Sequence, residues 1–220
     1  ITYGDWSSDV CSSDLGWVTG HSYIVYGPLA NGVTSVVFES VPTYPEPDRY
    51  WAVIDKIKPT TLYTAPTVIR SLVGMGEEWP AKHPMESLRV IGTVGEPIDP
   101  NSWKWYYKNV GKERIPIVDT WWQTETGGHM ITPLPGCTPL KPASAGRPFF
   151  GIQTQVLRDD GTQCEPGEQG HLVITHPWPA MLRGTWGDHT GTRFKEVYFS
   201  MFKNKFYTGD GCVIDADGDH

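Results

Sequence analysis

Short apolar runs alternate with amphipathic stretches along the first 130 residues, and that rhythm admits few folds. Residues 35–38, 61–64, 88–94 and 115–118 are brief and rich in β-branched or aromatic side chains, as buried strands are. Helical stretches lie between them. Ser22 can cap a helix that runs to about Ala30 and stops at Asn31-Gly32. The proline-rich turn 43–48 offers Asp48 as the N-cap of helix 49–57, where Tyr50, Val53, Ile54 and Ile57 share one face. Pro66 opens helix 67–74, and Asp99-Pro100 opens helix 101–109. One strand and one helix recur about every 25–30 residues, which predicts an α/β unit with a mostly parallel, helix-covered sheet.

Beyond Pro133 the rhythm changes. Prolines and glycines crowd residues 133–151; 153–157 and 171–174 then read as short antiparallel strands about a turn at Asp159-Asp160-Gly161. The expected division is an α/β subdomain over 16–147 and a β-rich subdomain over 148–220. The last residues, Asp217-Gly218-Asp219-His220, look like a hairpin turn without its second strand, so a truncated C-terminus is expected. Residues 1–15 stand apart. Asp5 to Leu15 shows neither helical nor strand period and reads like the translation of a sequencing-adapter oligonucleotide, so a non-native segment is expected there.

Composition excludes several function classes. With 220 residues, 39% of them hydrophobic and 20% charged, the chain has enough material for a real core. A net charge of -7 and the lack of a Lys/Arg cluster argue against a nucleic-acid surface. No apolar run approaches the length of a membrane span. The four cysteines (Cys11, Cys137, Cys164, Cys212) are far apart, which fits reduced thiols in a cytoplasmic protein rather than a disulfide framework or zinc site. His21, His129 and His171 share no metal-site spacing and are expected in structural or surface roles.

The chemistry concentrates after the strand at 115–118. Asp119-Thr120-Trp121-Trp122-Gln123-Thr124-Glu125-Thr126-Gly127-Gly128 packs carboxylates, hydroxyls, an amide and two indoles into one turn. In open α/β sheets, ligands sit just beyond the carboxyl ends of the strands, so a polar ligand is expected here. This stretch resembles the nucleotide-binding signature of the AMP-forming acyl-CoA synthetases, in the Trp-Trp form of their acetyl-CoA synthetase branch. Three further segments agree in order: Gly16–Leu29 (GWVTGHSYIVYGPL), Val94–Ile98 (VGEPI) and Tyr207–Gly211 (YTGDG).

The resemblance implies a fragment of the large N-terminal domain of an adenylate-forming enzyme. Its parent would join ATP and acetate into acetyl-adenylate and pass the acetyl group to CoA. Glu125 would bind Mg²⁺, a hard cation that takes carboxylate and phosphate oxygens; Thr124 beside it would touch the α-phosphate, the two forming the catalytic pair. The carboxylate of Asp210 would accept from both ribose hydroxyls. Gly95, Glu96 and Pro97, with Asp119, Thr120, Trp121, Trp122 and Gln123, would complete the ATP/AMP site. Val18, Thr19, Val94 and Trp122 would form the acetate pocket, the Trp122 indole filling the space of a longer chain. Trp17, Thr19 and Thr43 would contact CoA, although Thr43 stands where the family more often carries Asn. The phosphate loop and the lysine-bearing C-terminal domain of the family are not in this sequence, so the chain alone is expected to be inactive. Two alternatives stay open: a ligase for another small acid such as propionate, and, in a different class, a Trp-rich carbohydrate-binding β module. Among partners, only small molecules are expected; oligomeric state is open.

Overall fold

The computed structural model describes residues 8–11, 17–37 and 41–220. Among the described residues, five parallel strands form the first sheet: β1 (Ser8–Cys11), β2 (Thr34–Val36), β3 (Thr61–Thr64), β4 (Val90–Thr93) and β5 (Ile117–Asp119), in the order β2-β1-β3-β4-β5. The helices between them are α1 (Gly27–Ala30), α2 (Arg49–Ile57), α3 (Pro66–Met75), the single turn α4 (Glu78–Ala81) and α5 (Pro100–Asn109). A second sheet is antiparallel and holds β6 (Thr154–Leu157), β7 (Gln169–Ile174) and β8 (Phe206–Val213), with α6 (Thr192–Phe199) between the last two. The expected α/β class, parallel sheet first and β-rich portion after, is what the chain adopts.

Each face of the parallel sheet is buried by a different set of side chains, as the two-residue period of a strand requires. Along β3, Leu62 joins a cluster with Tyr50, Trp51 and Ile54 of α2, Ile69 and Leu72 of α3, and Trp103 and Tyr106 of α5. Its neighbour Tyr63 points into the opposite cluster, with Trp122, Met130 and Ile131 and with Val156, Leu172 and Phe206 of the second sheet. That cluster ties the two sheets together. Register places Thr64, Thr93 and Asp119 side by side at the carboxyl edge of β3, β4 and β5.

Several expectations need correction. The helix predicted from Ser22 begins earlier and is π-helical over Gly20–Tyr26 before α1; the Ser22 hydroxyl does not cap it but donates to the Gly127 carbonyl (3.1 Å). Helix α2 has the predicted bounds, but its inner face is Tyr50, Trp51 and Ile54, while Ile57 is exposed and Asp48 makes no capping hydrogen bond. Asp99 does cap α5, accepting from Asn101 and Ser102 amides at 3.0 Å each. Strand β5 starts two residues late, so Asp119 ends the strand rather than opening the turn. Neither α6 nor β8 was anticipated. The predicted end of the strand at Phe38, like Gly16, lies outside the described residues.

The segment read as lacking strand period contributes β1, in register between Val36 of β2 and Leu62 of β3 at Val10. Any non-proline backbone can complete a hydrogen-bonded ladder. Ser-Asp-Val-Cys is nonetheless polar for an inner parallel strand, a place that normally holds a continuous aliphatic run.

Candidate functional site

The carboxyl edge of the parallel sheet opens into two cavities. One, of about 580 Å³, is lined by Trp17, Val18 and Thr19, by Ala65 and Thr67 after β3, by Val94, Gly95 and Glu96 after β4, and by Trp122, Gln123 and Thr124 after β5. The other, of about 590 Å³, is lined by Gly95–Pro97, Asp119–Gln123 and the Asp210–Val213 end of β8, with Ala143, Ala145 and His220 closing its side. Gly95, Glu96, Trp122 and Gln123 line both, so ligands in the two cavities would meet across that shared rim. Gly95 has φ 97°, a conformation open to glycine, and it lets the chain turn sharply from β4 along the rim.

Asp210 is fixed from below. Its Oδ2 accepts from the indole N–H of Trp121 (3.0 Å) and from the Gln123 side-chain amide (2.8 Å), which also donates to the Thr208 carbonyl (2.8 Å). Two donors on one oxygen leave Oδ1 for a ligand. A residue on β8 is thus positioned by two residues of the turn after β5.

That turn holds itself rigidly. Thr124–Thr126 is a 3₁₀ turn with reciprocal Gln123–Thr126 capping, and the Trp178 indole donates to the Thr126 carbonyl (2.8 Å). Thr124 is exposed into the first cavity. Glu125 lines neither cavity; the Tyr198 hydroxyl of α6 donates to its Oε1 (3.0 Å). Its second oxygen accepts no hydrogen bond from the described residues. One anchored carboxylate with a free oxygen suits Mg²⁺, which keeps most of its ligands as water and phosphate oxygens.

Glu96 differs from expectation in what its carboxylate does. It accepts from the Thr67 amide (2.8 Å), from the Thr67 hydroxyl and from Arg70 (2.7 Å), at the N-terminus of α3. The Thr67 hydroxyl first, then Arg70, hold its pKa below the usual carboxylate range. It is a cap for α3 that also lines both cavities. Of the residues assigned to CoA, Trp17 and Thr19 line the first cavity, Trp17 with 67% of its surface exposed, whereas Thr43 lies in a half-buried turn and lines neither. His21 bonds Tyr26, and His171 bonds Asp159. Half-buried His129 meets Trp122 together with Tyr23, a structural role as expected for it, and Tyr63 bonds its Nε2; neither tyrosine was singled out by the sequence.

Among the described residues, Asp215, Asp217 and Asp219 alone bring three potential metal-ligand atoms together. Lys141 pairs with all three, at 2.8 Å from Asp217 and 3.2 Å from Asp219, and Arg147 adds a contact to Asp219 (3.2 Å). Two cations thus offset most of the charge of the three carboxylates. The cluster fixes the last turn, whose His220 amide donates to the Gly146 carbonyl (2.7 Å).

Two groups near the rim, buried Asp119 and half-buried His129, titrate in opposite senses. Burial pushes Asp119 up to about 6 from an ordinary 3.8, against a hydrogen bond from Thr93. Burial pushes His129 down to about 4 from an ordinary 6.5. The folded state therefore binds an extra proton at Asp119 between roughly pH 4 and 6, and lacks one at His129 between roughly pH 4 and 6.5. Stability from Asp119 is full at low pH and is lost as pH rises through about 6. Stability from His129 is full above 6.5 and is lost as pH falls through about 4. In the shared window the slopes cancel, each at most about 1.4 kcal/mol per pH unit. Denaturant titrations at pH 4.5 and 6 should then show His129→Gln gaining stability on acidification and Asp119→Asn losing it; parallel pH profiles for both variants would refute these protonation states.

The AMP-binding enzyme family model matches residues 3–186. The acetyl-coenzyme A synthetases of Rhizobium rhizogenes and Rhizobium meliloti are 58% and 57% identical over 208 residues, 94% of this chain and 32% of theirs. The chain thus spans about a third of the length of these relatives. Among solved structures, an acetoacetyl-CoA synthetase from Streptomyces lividans superposes with a TM-score of 0.87 at 21% identity, covering 99% of this chain and 33% of that one. At that identity the likeness speaks for the fold.

Proposed function

The chain belongs to the AMP-binding enzyme family, and on that footing we propose that it carries the substrate-binding part of an acetate–CoA ligase. The complete enzyme joins acetate to ATP as acetyl-adenylate, releasing pyrophosphate, then transfers the acetyl group to CoA, releasing AMP. The observation that carries this reading is the shared rim. A cavity walled by Trp122 and a cavity bearing Asp210 meet at Gly95, Glu96, Trp122 and Gln123, as the joining of a small acid to a nucleotide requires.

The roles follow from position. The acetate methyl packs among Val18, Thr19, Val94 and Trp122, which present its carboxylate to the α-phosphorus at the rim. The adenine lies along Gly95–Pro97 and Asp119–Trp121, and the ribose hydroxyls donate to Asp210. Thr124 donates to the α-phosphate. Glu125 would hold Mg²⁺, which when bound would supply positive charge against the phosphates. In the second half-reaction the CoA thiol attacks the acyl carbonyl, the C–O bond to AMP breaks, and the pantetheine arm lies along Trp17 and Thr19. The first cavity is far larger than acetate needs, which supports a second occupant there; Thr43 contributes at most to the outer part of that path. The acid is acetate rather than propionate on this reading, because the indole of Trp122 fills the pocket.

Residues 16–147 and 148–220 are proposed as subdomains, supported by the change from parallel to antiparallel pairing between Asp119 and Thr154. Residues 1–15 are proposed as non-native, supported by the polar sequence of Ser8–Cys11 at an inner-strand position; continuous genomic reads across Leu15–Gly16 would overturn that. The described cysteines, Cys137, Cys164 and Cys212, are free thiols, which supports a cytoplasmic setting.

The test is acetate-dependent ATP–pyrophosphate exchange. The complete ligase should exchange robustly with acetate and more slowly with propionate. The 220-residue chain alone should show no measurable exchange, because catalysis needs groups beyond it preorganised on the phosphates. A complete protein without acetate dependence, or an active 220-residue chain, contradicts the proposal.

A further inference from the structure

Trp122 is buried, and its indole N–H finds no acceptor among the described residues. No polar tether fixes the ring that walls the acyl pocket, so packing alone decides where it stands. Behind it are two rings. Tyr23 meets Trp122 edge-on, with centroids 4.9 Å apart at 80°. His129 stacks on Tyr23 at 4.1 Å and 17°, and meets Trp122 at 5.9 Å and 69°. Edge-to-face and stacked contacts of this kind add to ordinary burial and depend on geometry.

These rings are fixed where Trp122 is not. The Tyr23 hydroxyl accepts from the His129 amide (2.7 Å), and His129 Nε2 bonds the Tyr63 hydroxyl (3.0 Å). Tyr63 also bonds the Thr120 hydroxyl (2.7 Å), whose own hydrogen goes to the Thr93 carbonyl (2.8 Å). Proton counting orients the chain: Tyr63 donates to Thr120, so neutral His129 donates from Nε2 to Tyr63. Burial favours that neutral form, taking His129 down to about 4. Two glycines make room. A Cβ at Gly92 would lie 2.9 Å from the Tyr63 ring, and one at Gly128 3.2 Å from the Tyr23 hydroxyl. Tyr23 also belongs to the π-helical turn that follows Val18 and Thr19, which Ser22 staples to the Gly127 carbonyl (3.1 Å).

We propose that Tyr23 and His129 are specificity-determining positioning residues: stacked behind Trp122, they hold its indole forward and so set the depth of the acyl pocket. They do not touch the acid. The inference rests on the ligase reading, and extends it to residues that line neither cavity.

The experiment compares kcat/KM for acetate and butyrate, with the KM for ATP, in the complete ligase carrying Tyr23→Ala, Tyr23→Leu, Tyr23→Phe or His129→Ala, each with and without Trp122→Gly. With Trp122 present, Tyr23→Ala and His129→Ala should raise the butyrate-to-acetate ratio about tenfold, while the KM for ATP changes by less than about twofold. Tyr23→Leu, which keeps bulk and guards against misfolding, should give a smaller rise, and Tyr23→Phe, which keeps the ring, should restore the wild-type ratio. In the Trp122→Gly background none should shift the ratio by more than about twofold, since the wall they support is gone. An unchanged ratio in both Tyr23→Ala and Tyr23→Leu, or an equal shift without Trp122, overturns the inference. If Trp122→Gly itself leaves the ratio unchanged, it is the assignment of the pocket that fails.

Discussion

In the proposed acetate–CoA ligase, replacing Trp122 with glycine is expected to shift preference toward longer acids. Trp122 is 8% exposed; it lines the first cavity and packs in one cluster with Met130, Ile131 and Leu172. Hexanoate has four more methylenes than acetate, and each contributes about 0.8 kcal/mol when buried, or about 3 kcal/mol together. Acetate would lose its contact with the wall, worth about 1–3 kcal/mol. The hexanoate-to-acetate ratio of kcat/KM should therefore rise by roughly three to four orders of magnitude. Removing a buried indole also destabilises the fold by about 3–5 kcal/mol, so the comparison belongs at low temperature with the folded fraction checked. Acetate still preferred and hexanoate still unused would mean that Trp122 is not the wall.

The second large effect should come from Asp210→Ala. Hydrogen bonds to a charged group contribute about 1.5–3 kcal/mol each, and two ribose hydroxyls share this carboxylate in the proposed complex. The KM for ATP should rise by about a hundredfold or more while the KM for acetate stays nearly constant, because the loss is confined to the second cavity. On the unaltered enzyme, 2′-deoxy-ATP should lose about half of that binding free energy. An Asp210→Ala variant with an unchanged KM for ATP would mean that the free carboxylate oxygen serves something other than the nucleotide.

Local pattern revealed the strand–helix rhythm because a parallel sheet buried on both faces imposes it on every strand: β3, β4 and β5 were visible as apolar runs, and Asp99-Pro100 as a helix start. What escaped notice depends on distance along the chain. His129 is paired with Tyr63 and Tyr23, 66 and 106 residues away, and no local pattern marks such a partner. Strand β8 was missed because Gly209 and Gly211 interrupt its alternation; Gly209 has φ 79°. Helix α6 has no fully buried residue, so it carries no strong apolar stripe, yet it delivers Tyr198 to Glu125. Glu96 was visible as a site residue but not as the cap of α3, since its partners Thr67 and Arg70 lie 29 and 26 residues earlier. The resemblance named the residues around the two cavities; the ring support behind them came only from the folded arrangement.

The most direct measurement is a crystal structure of the complete ligase with a non-hydrolysable acetyl-adenylate analogue. The acyl methyl should lie in van der Waals contact with Trp122 and Val94, both ribose hydroxyls should be within hydrogen-bonding distance of Asp210, and the linkage between them should cross the rim at Gly95 and Gln123. An analogue bound with its acyl group away from Trp122, or with its ribose away from Asp210, would contradict the shared-rim site.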